Sequence, residues 1–163
     1  RVLNMIFVTL GTQKFQFNRL LRMMDDLIEN KKIHERVFAQ IGNSDYLPQY
    51  YEYCNFLSNN DYEEYIKNCD ILVSHSGVGT IMTGLKYRRK IIVVPRLSKY
   101  GEHIDDHQTQ IAQSFSKLNY VLMYSDEDNN MEQLIVDATT KHFSNYSSCR
   151  NQVIDTIRQY IDC

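Results

Sequence analysis

The stretch Ser74-His75-Ser76-Gly77-Val78-Gly79-Thr80 has residue types that hold an anion through the backbone rather than through side-chain charge. It follows the apolar run Ile71-Leu72-Val73 and precedes a helix-compatible segment, so its glycines sit where a buried strand becomes a helix. A helix N-terminus leaves several N–H groups without intrahelical partners, and the helix dipole adds partial positive charge there. The expected chemistry is a phosphate cradle. A second polar cluster, Gly101-Glu102-His103-Ile104-Asp105-Asp106-His107-Gln108, also follows an apolar strand, Ile91-Ile92-Val93-Val94-Pro95, and also opens a helix. Two such loops at the same end of one sheet suggest a nucleotide-type ligand.

Several familiar chemistries fail on spacing. Gly77-Val78-Gly79 starts like a dinucleotide fingerprint, but the third glycine would fall at Met82, and the loop follows an inner strand rather than the first one. No Gly-Lys-Ser or Gly-Lys-Thr forms a Walker A loop, and Ser74 and Ser76 lack the G-x-S-x-G elbow of a nucleophilic serine. His75 reads either as a general base or as a neutral residue that shapes the loop or meets phosphate. Glu102, His103, Asp105, Asp106 and His107 look like metal ligands at first sight. Asp105 and Asp106 open a helix, however, where capping accounts for a carboxylate, and consecutive helical residues point apart. The expectation is no metal and no cofactor. Arg96 follows Pro95 and reads as a partner for a phosphate or for Glu102. His75 and His107 are the only catalytic candidates, and neither reading assigns the base.

These loops need a scaffold, and the rest of the chain spells one out. Met5 to Leu10 reads as a strand closed by Gly11-Thr12, and Phe17, Leu20, Leu21, Met24, Leu27 and Ile28 recur at helical spacing. A strand over 37–41, a short strand near 54–57, and a helix over 62–68 with Asp61 as its N-cap come next. The pattern repeats as strand 70–74, helix 78–87, strand 90–95, helix 105–117, strand 120–124 and a helix marked by Met131, Leu134, Ile135 and Ala138. Val153, Ile154, Ile157, Tyr160 and Ile161 mark a terminal helix. Alternating helices and continuously apolar strands predict an α/β domain with a doubly wound, mostly parallel, Rossmann-like sheet. The domain is read as residues 5–163, with residues 1–4 a non-native extension.

Composition narrows the class further. At 163 residues the chain holds about one domain, and its formal net charge of −2 argues against nucleic acid as a partner. Lys86, Arg88, Arg89 and Lys90 form the one dense basic cluster, read as a solvated helix end or as a contact to lipid, acceptor or partner. The four cysteines, Cys54, Cys69, Cys149 and Cys163, have no C-x-x-C spacing and read as reduced thiols of a cytoplasmic protein. No run reaches the roughly 18 apolar residues of a membrane span. Among the tyrosines between Tyr46 and Tyr65, packing is the default role, with a stacking surface for a base or sugar as the alternative.

The chain resembles the glycosyltransferase family 28 C-terminal domain, the nucleotide-sugar-binding half of a GT-B enzyme. The likeness runs over roughly residues 5–119: Phe7-Val8-Thr9-Leu10-Gly11-Thr12, the Ser74–Thr80 loop, and the stretch from Val94 to Gln108. Within the family it is similar to stand-alone halves: the cytosolic subunit of the eukaryotic dolichol-linked GlcNAc transferase, and bacterial capsule and exopolysaccharide β-1,4-galactosyltransferase subunits. The resemblance implies that Ser76, Gly77, Val78, Gly79 and Thr80, beside His75, lie at the donor diphosphate. It implies that Asp106, His107 and Gln108 lie near the donor sugar and ribose, and that Gly11 and Thr12 face the cleft; Arg96 and Glu102, in the same loop, are counted among the donor-binding candidates. Peptidoglycan-type members carry a ribose-gripping glutamate where this chain has Thr83.

The function implied is metal-independent, inverting transfer of galactose, glucose or GlcNAc from a UDP-sugar to a lipid-linked saccharide in polysaccharide biosynthesis. A membrane-anchored partner subunit would supply the other lobe and hold this chain at the cytoplasmic membrane face. The alternative is a non-catalytic nucleotide-sugar-binding module that enhances or regulates a separate transferase.

Overall fold

The computed structural model describes residues 5–147, so the segment expected to form the terminal helix, Cys149, Cys163 and the first four residues lie outside the described residues. In chain order the elements are β1 Met5–Thr9, α1 Asn18–Glu29, β2 Arg36–Gln40, β3 Glu52–Cys54, α2 Asn59–Asn68, β4 Ile71–Ser74 and α3 Val78–Lys86. There follow β5 Lys90–Val93, a 3-10 turn at Ser98–Tyr100, α4 His107–Lys117, β6 Leu122–Met123 and α5 Met131–Thr140. The strands form one open sheet in the order β3-β2-β1-β4-β5-β6. Every pairing is parallel, with Phe7 opposite both Phe38 and Leu72, and Val73 opposite Ile92. The doubly wound reading holds, and "mostly parallel" becomes all-parallel among the described residues.

Strand alternation explains why both faces are apolar. Ile6, Val8, Ile71, Val73, Ile92 and Val94 point to one face, where Leu20, Leu21 and Met24 of α1 and Leu134, Ile135 and Ala138 of α5 cover them. Phe7, Leu72, Ile91 and Val93 point to the other, beneath Ile66 of α2, Ile81 and Leu85 of α3, and Ala112 and Phe115 of α4. Tyr65 stacks on Phe38 at 4.3 Å between ring centroids and on Phe7 at 5.2 Å, so this tyrosine is a core residue. α3 packs closely because Gly84 faces the sheet, where a Cβ would come within 2.8 Å of Ile91 and 2.9 Å of Leu72.

Two local expectations shift. The N-cap of α2 is Ser58 rather than Asp61: the Ser58 hydroxyl accepts the Asp61 N–H at 3.1 Å and donates to the Asp61 carboxylate at 2.8 Å. The third strand ends at Cys54 rather than reaching Leu57. The segment before it is strapped to α1 by buried Asp25, which accepts from Tyr46 Oη at 2.6 Å and from the N–H groups of Gln49 and Tyr50 at 2.8 and 3.0 Å. Tyr46 and Tyr50 therefore serve packing and loop anchorage.

Leu72 is fully buried and Val136 is 53% exposed. Leu72→Ala is expected to cost about 2–5 kcal/mol in urea unfolding by loss of packing and cavity formation, whereas Val136→Ala should stay within about 0.5 kcal/mol.

Candidate functional site

In a doubly wound sheet, the crevice opens where connections leave neighbouring strands in opposite directions. Here that point lies between β1 and β4, which are neighbours in the sheet but lead to helices on opposite faces. A cleft of about 490 Å³ occupies it, lined by Gly11, Thr12 and Gln13 from the loop after β1 and by His75, Gly77, Gly79 and Thr80 from the loop after β4. That volume falls within the usual range for small-molecule sites.

The floor is a helix start left open. Gly77 is the N-cap of α3 and offers no side-chain cap, and the first intrahelical bond, from the Ile81 N–H to the Gly77 carbonyl, leaves the N–H groups before it to other partners. Gly79 is exposed, and a Cβ there would meet no atom within 4 Å. Ser76 is fully buried, and its hydroxyl finds no partner among the described residues, so the loop keeps a spare donor beside the cleft. Thr80 is held by Tyr62 of α2, hydroxyl to hydroxyl at 2.8 Å. Together these groups suit a phosphate, and cation chemistry is not what they offer.

His75 explains the two flanking glycines. A Cβ on Gly77 would fall 2.2 Å from its Nε2, and one on Gly11 2.7 Å from its Cε1; Gly11 also has φ +74°. The imidazole is thus a wedge between two backbones, with Nδ1 3.4 Å from Ser74 Oγ. Burial, reinforced by the charge of Arg96, pushes its pKa down to about 4. It is neutral at physiological pH and a weak proton acceptor, which fits the loop-shaping reading better than the general-base one.

The second loop is built as a clamp. Gln108 is buried, and its Oε1 accepts from the Ser76 N–H at 3.3 Å and from the Arg96 N–H at 3.1 Å, joining the loops after β4 and β5. Arg96, 1% exposed, donates to the carbonyls of Leu10 at 2.5 Å, Phe15 at 3.1 Å, Gln16 at 3.2 Å and Glu102 at 3.1 Å, over the Phe17 ring. Burial lowers its pKa to about 10, still well above neutrality. Of the two partners expected for Arg96, a phosphate or Glu102, the structure shows Glu102, met through its backbone carbonyl: four backbone carbonyls in all take the Nη groups. Glu102 likewise faces inward, accepting from Arg19 Nε and Nη2 at 2.9 Å each and from the Leu97 N–H at 2.9 Å.

The remaining loop residues divide between capping and solvent. Asp105 accepts the His107 N–H at 3.0 Å, and Asp106 accepts the Ser98 N–H at 2.8 Å. The His107 side chain is 57% exposed, 3.5 Å from Gln110 Oε1, and faces no base-orienting carboxylate closer than Asp105 at 3.8 Å. Thr83 lines the cleft but turns its hydroxyl to the Gly79 carbonyl at 2.9 Å. The basic cluster stands at the opposite end of the strands: Lys86 pairs with Glu63 at 2.9 Å, Arg89 donates to the Cys69 carbonyl, and Lys90 donates to the Thr139 carbonyl.

The sequence reading missed Gln40, Leu57, Asn59 and Tyr62 on the cleft wall. Gln40 was the findable one. It is a buried amide ending the run Val37-Phe38-Ala39, and its Oε1 accepts the Leu57 N–H at 2.9 Å, which bends the chain after β3 back over the cleft.

A family model described as Glycosyltransferase family 28 C-terminal domain matches residues 5–155. The UDP-N-acetylglucosamine transferase subunit ALG13 of Candida albicans is 32% identical over 100 residues, covering 61% of this chain and 32% of that protein. The chain thus spans about a third of that curated relative's length. Among solved structures, an NMR structure of ALG13 superposes with a TM-score of 0.60 at 20% identity, covering 98% of this chain and 96% of that one. The kitacinnamycin glycotransferase superposes at 0.65 with 19% identity, covering 85% and 35%. At those identities the structures establish the fold.

Gly79→Leu adds a side chain into open space at the mouth of α3. The expected outcome is an unliganded melting temperature nearly unchanged and no rise on adding UDP, in contrast to a rise in the parent chain; an equal rise in both would place the phosphate elsewhere. The buried His75 makes a separate prediction. Its folded pKa, about 4, lies below the ordinary value of 6.5, so the unfolded chain takes up the proton first. Stability should be full above pH 6.5 and fall as pH drops toward 4, and His75→Gln should flatten that part of the curve in pH-dependent urea unfolding.

Proposed function

The chain belongs to the glycosyltransferase family 28 C-terminal domain family, and on that premise we propose that it is the donor-binding subunit of a UDP-sugar-dependent glycosyltransferase. The observation that carries the proposal is the open N-terminus of α3 at the strand-switch cleft, with Gly77 and Gly79 at its mouth and the spare Ser76 hydroxyl beside it. The donor diphosphate rests on those N–H groups. The nucleoside lies along the wall formed by Leu57, Asn59 and Tyr62, and the sugar faces the loop that carries Asp106 and His107. As an acceptor hydroxyl attacks the anomeric carbon, its proton passes to a base on the partner subunit, the bond to the diphosphate breaks and negative charge grows on UDP. The helix N-terminus stabilises that charge with dipoles already in place, in a metal-independent, inverting transfer.

The Candida albicans relative is a UDP-N-acetylglucosamine transferase subunit, which favours UDP-GlcNAc over UDP-glucose and UDP-galactose as donor here and supports a heteromeric enzyme. The acceptor in this reading is a lipid-linked saccharide. A membrane-anchored partner brings it, together with the second lobe, to the cytoplasmic membrane face; no helix among the described residues is long and apolar enough to cross a membrane.

One observation favours the second reading, a non-catalytic nucleotide-sugar-binding module. Neither histidine is set up as a base, since His75 is wedged and neutral and His107 is exposed. The two readings separate in one assay. The chain is co-expressed with a membrane-anchored partner subunit, and transfer from UDP-GlcNAc, UDP-glucose and UDP-galactose to a lipid-pyrophosphate sugar is measured. Turnover that requires both chains, highest with UDP-GlcNAc and lost in Gly79→Leu, is expected. UDP binding without turnover from any donor would establish the module instead.

A further inference from the structure

Gln40 lines the cleft with only half of its amide in use. It is 3% exposed, and its Oε1 accepts the Leu57 N–H at 2.9 Å. A backbone N–H can only donate, so that bond fixes which end of the amide is oxygen and leaves Nε2 as the free end. Among the described residues Nε2 has no hydrogen-bond partner. It is not enclosed by protein either: the fully enclosed side-chain atoms without a partner are Ser76 Oγ, Arg96 Nε and Thr109 Oγ1, so the Gln40 donor opens onto the cleft.

The rest of the wall gives that donor its weight. No Asp, Glu, Lys or Arg lines the cleft, and His75 is uncharged. Recognition beyond the phosphate loop therefore falls to neutral hydrogen bonds, where a buried donor left facing another donor carries the larger penalty. Strand register sets the distance. Gln40 pairs with Thr9 of β1, and Thr9 pairs with Ser74 of β4. Two strand spacings, about 10 Å in all, thus separate Gln40 from the start of the phosphate loop. The bond to Leu57 tethers the amide on the β3 side, away from that loop. A diphosphate seated on α3 leaves Gln40 about one nucleoside's length away, where the far edge of a base arrives.

We propose that Gln40 is a specificity-determining residue, whose Nε2 donates to the 4-carbonyl oxygen of a uracil base. Cytosine carries an amino donor at that position and would set donor against donor. The inference rests on the donor-binding reading and adds to it the side chain that selects the base.

The test is amide NMR of the full chain, following the Gln40 side-chain N–H pair and the backbone of Gly77 to Thr80 as UDP, CDP and inorganic pyrophosphate are added in separate titrations. All three should shift Gly77 to Thr80, and UDP alone should shift the Gln40 pair. UDP should bind roughly tenfold or more tightly than CDP. Gln40→Glu still accepts the Leu57 N–H but offers the base an acceptor in place of a donor, so the preference should invert; Gln40→Met, with no amide, should bring the two nucleotides level. Loss of the Leu57 tether alone would weaken both nucleotides equally. The inference is overturned if UDP moves Gly77 to Thr80 but not the Gln40 pair, if CDP moves that pair equally, or if Gln40→Glu leaves the preference unchanged. UDP and pyrophosphate that both leave Gly77 to Thr80 unmoved would overturn the donor-binding reading, and the inference with it. The titrations of the parent chain decide even where a variant fails to fold.

Discussion

The buried guanidinium of Arg96 is the interaction on which the cleft depends. An isolated charge in a protein interior is costly, and it persists only where hydrogen bonds replace its lost hydration. Here four carbonyls from three stretches of chain take the Nη groups, leaving Nε without a partner among the described residues: Leu10 just after β1, Phe15 and Gln16 in the loop that follows, and Glu102 before α4. Bonds to a charged group contribute about 1.5–3 kcal/mol each, and three of these join segments 80 to 86 residues apart. The guanidinium therefore converts three loops into one rigid body. The backbone N–H of the same residue extends the connection to Gln108 and from there to the phosphate loop.

A second constraint acts between the glycines and His75. The imidazole fills the gap between the loops after β1 and β4, and it does so at van der Waals range only because Gly11 and Gly77 lack side chains. Its neutrality follows from the same packing, since burial and the nearby cation both oppose a proton. A neutral ring adds no charge of its own to the cleft, where the open N-terminus of α3 supplies partial positive charge. Gly79 stands apart from this logic. Nothing occupies the space its side chain would take, so its smallness serves the cleft rather than the fold.

How much of this was legible in the residues differs by layer. Among the described residues, helices and strands came out within a few positions because continuous apolar runs and helical spacing are local signals, and the glycine-rich loop that opens α3 was legible because its glycines stand between a buried strand and a helix. Roles inside the second loop were not. Arg96 and Glu102 are the residue types that bind phosphate and ribose, yet the structure turns both inward, because their partners are backbone carbonyls and an arginine more than eighty positions away. The N-cap at Ser58 was missed because Asp61 is also a good capping residue, and only the fold shows which of the two sits outside the helix.

The amino-acid sequence by itself therefore determined the α/β class, the order of elements among the described residues, the glycine-rich strand-to-helix loop and the family likeness, all properties carried by neighbours along the chain. Tertiary structure alone decided that β1 and β4 lie side by side, that His75 is wedged and uncharged, and that Gln40 and Tyr62 wall the cleft. The physical reason is the range of the forces involved. Propensity and amphipathic period act over a few residues, whereas burial, desolvation and charge pairing depend on which distant segments the closed fold brings into contact.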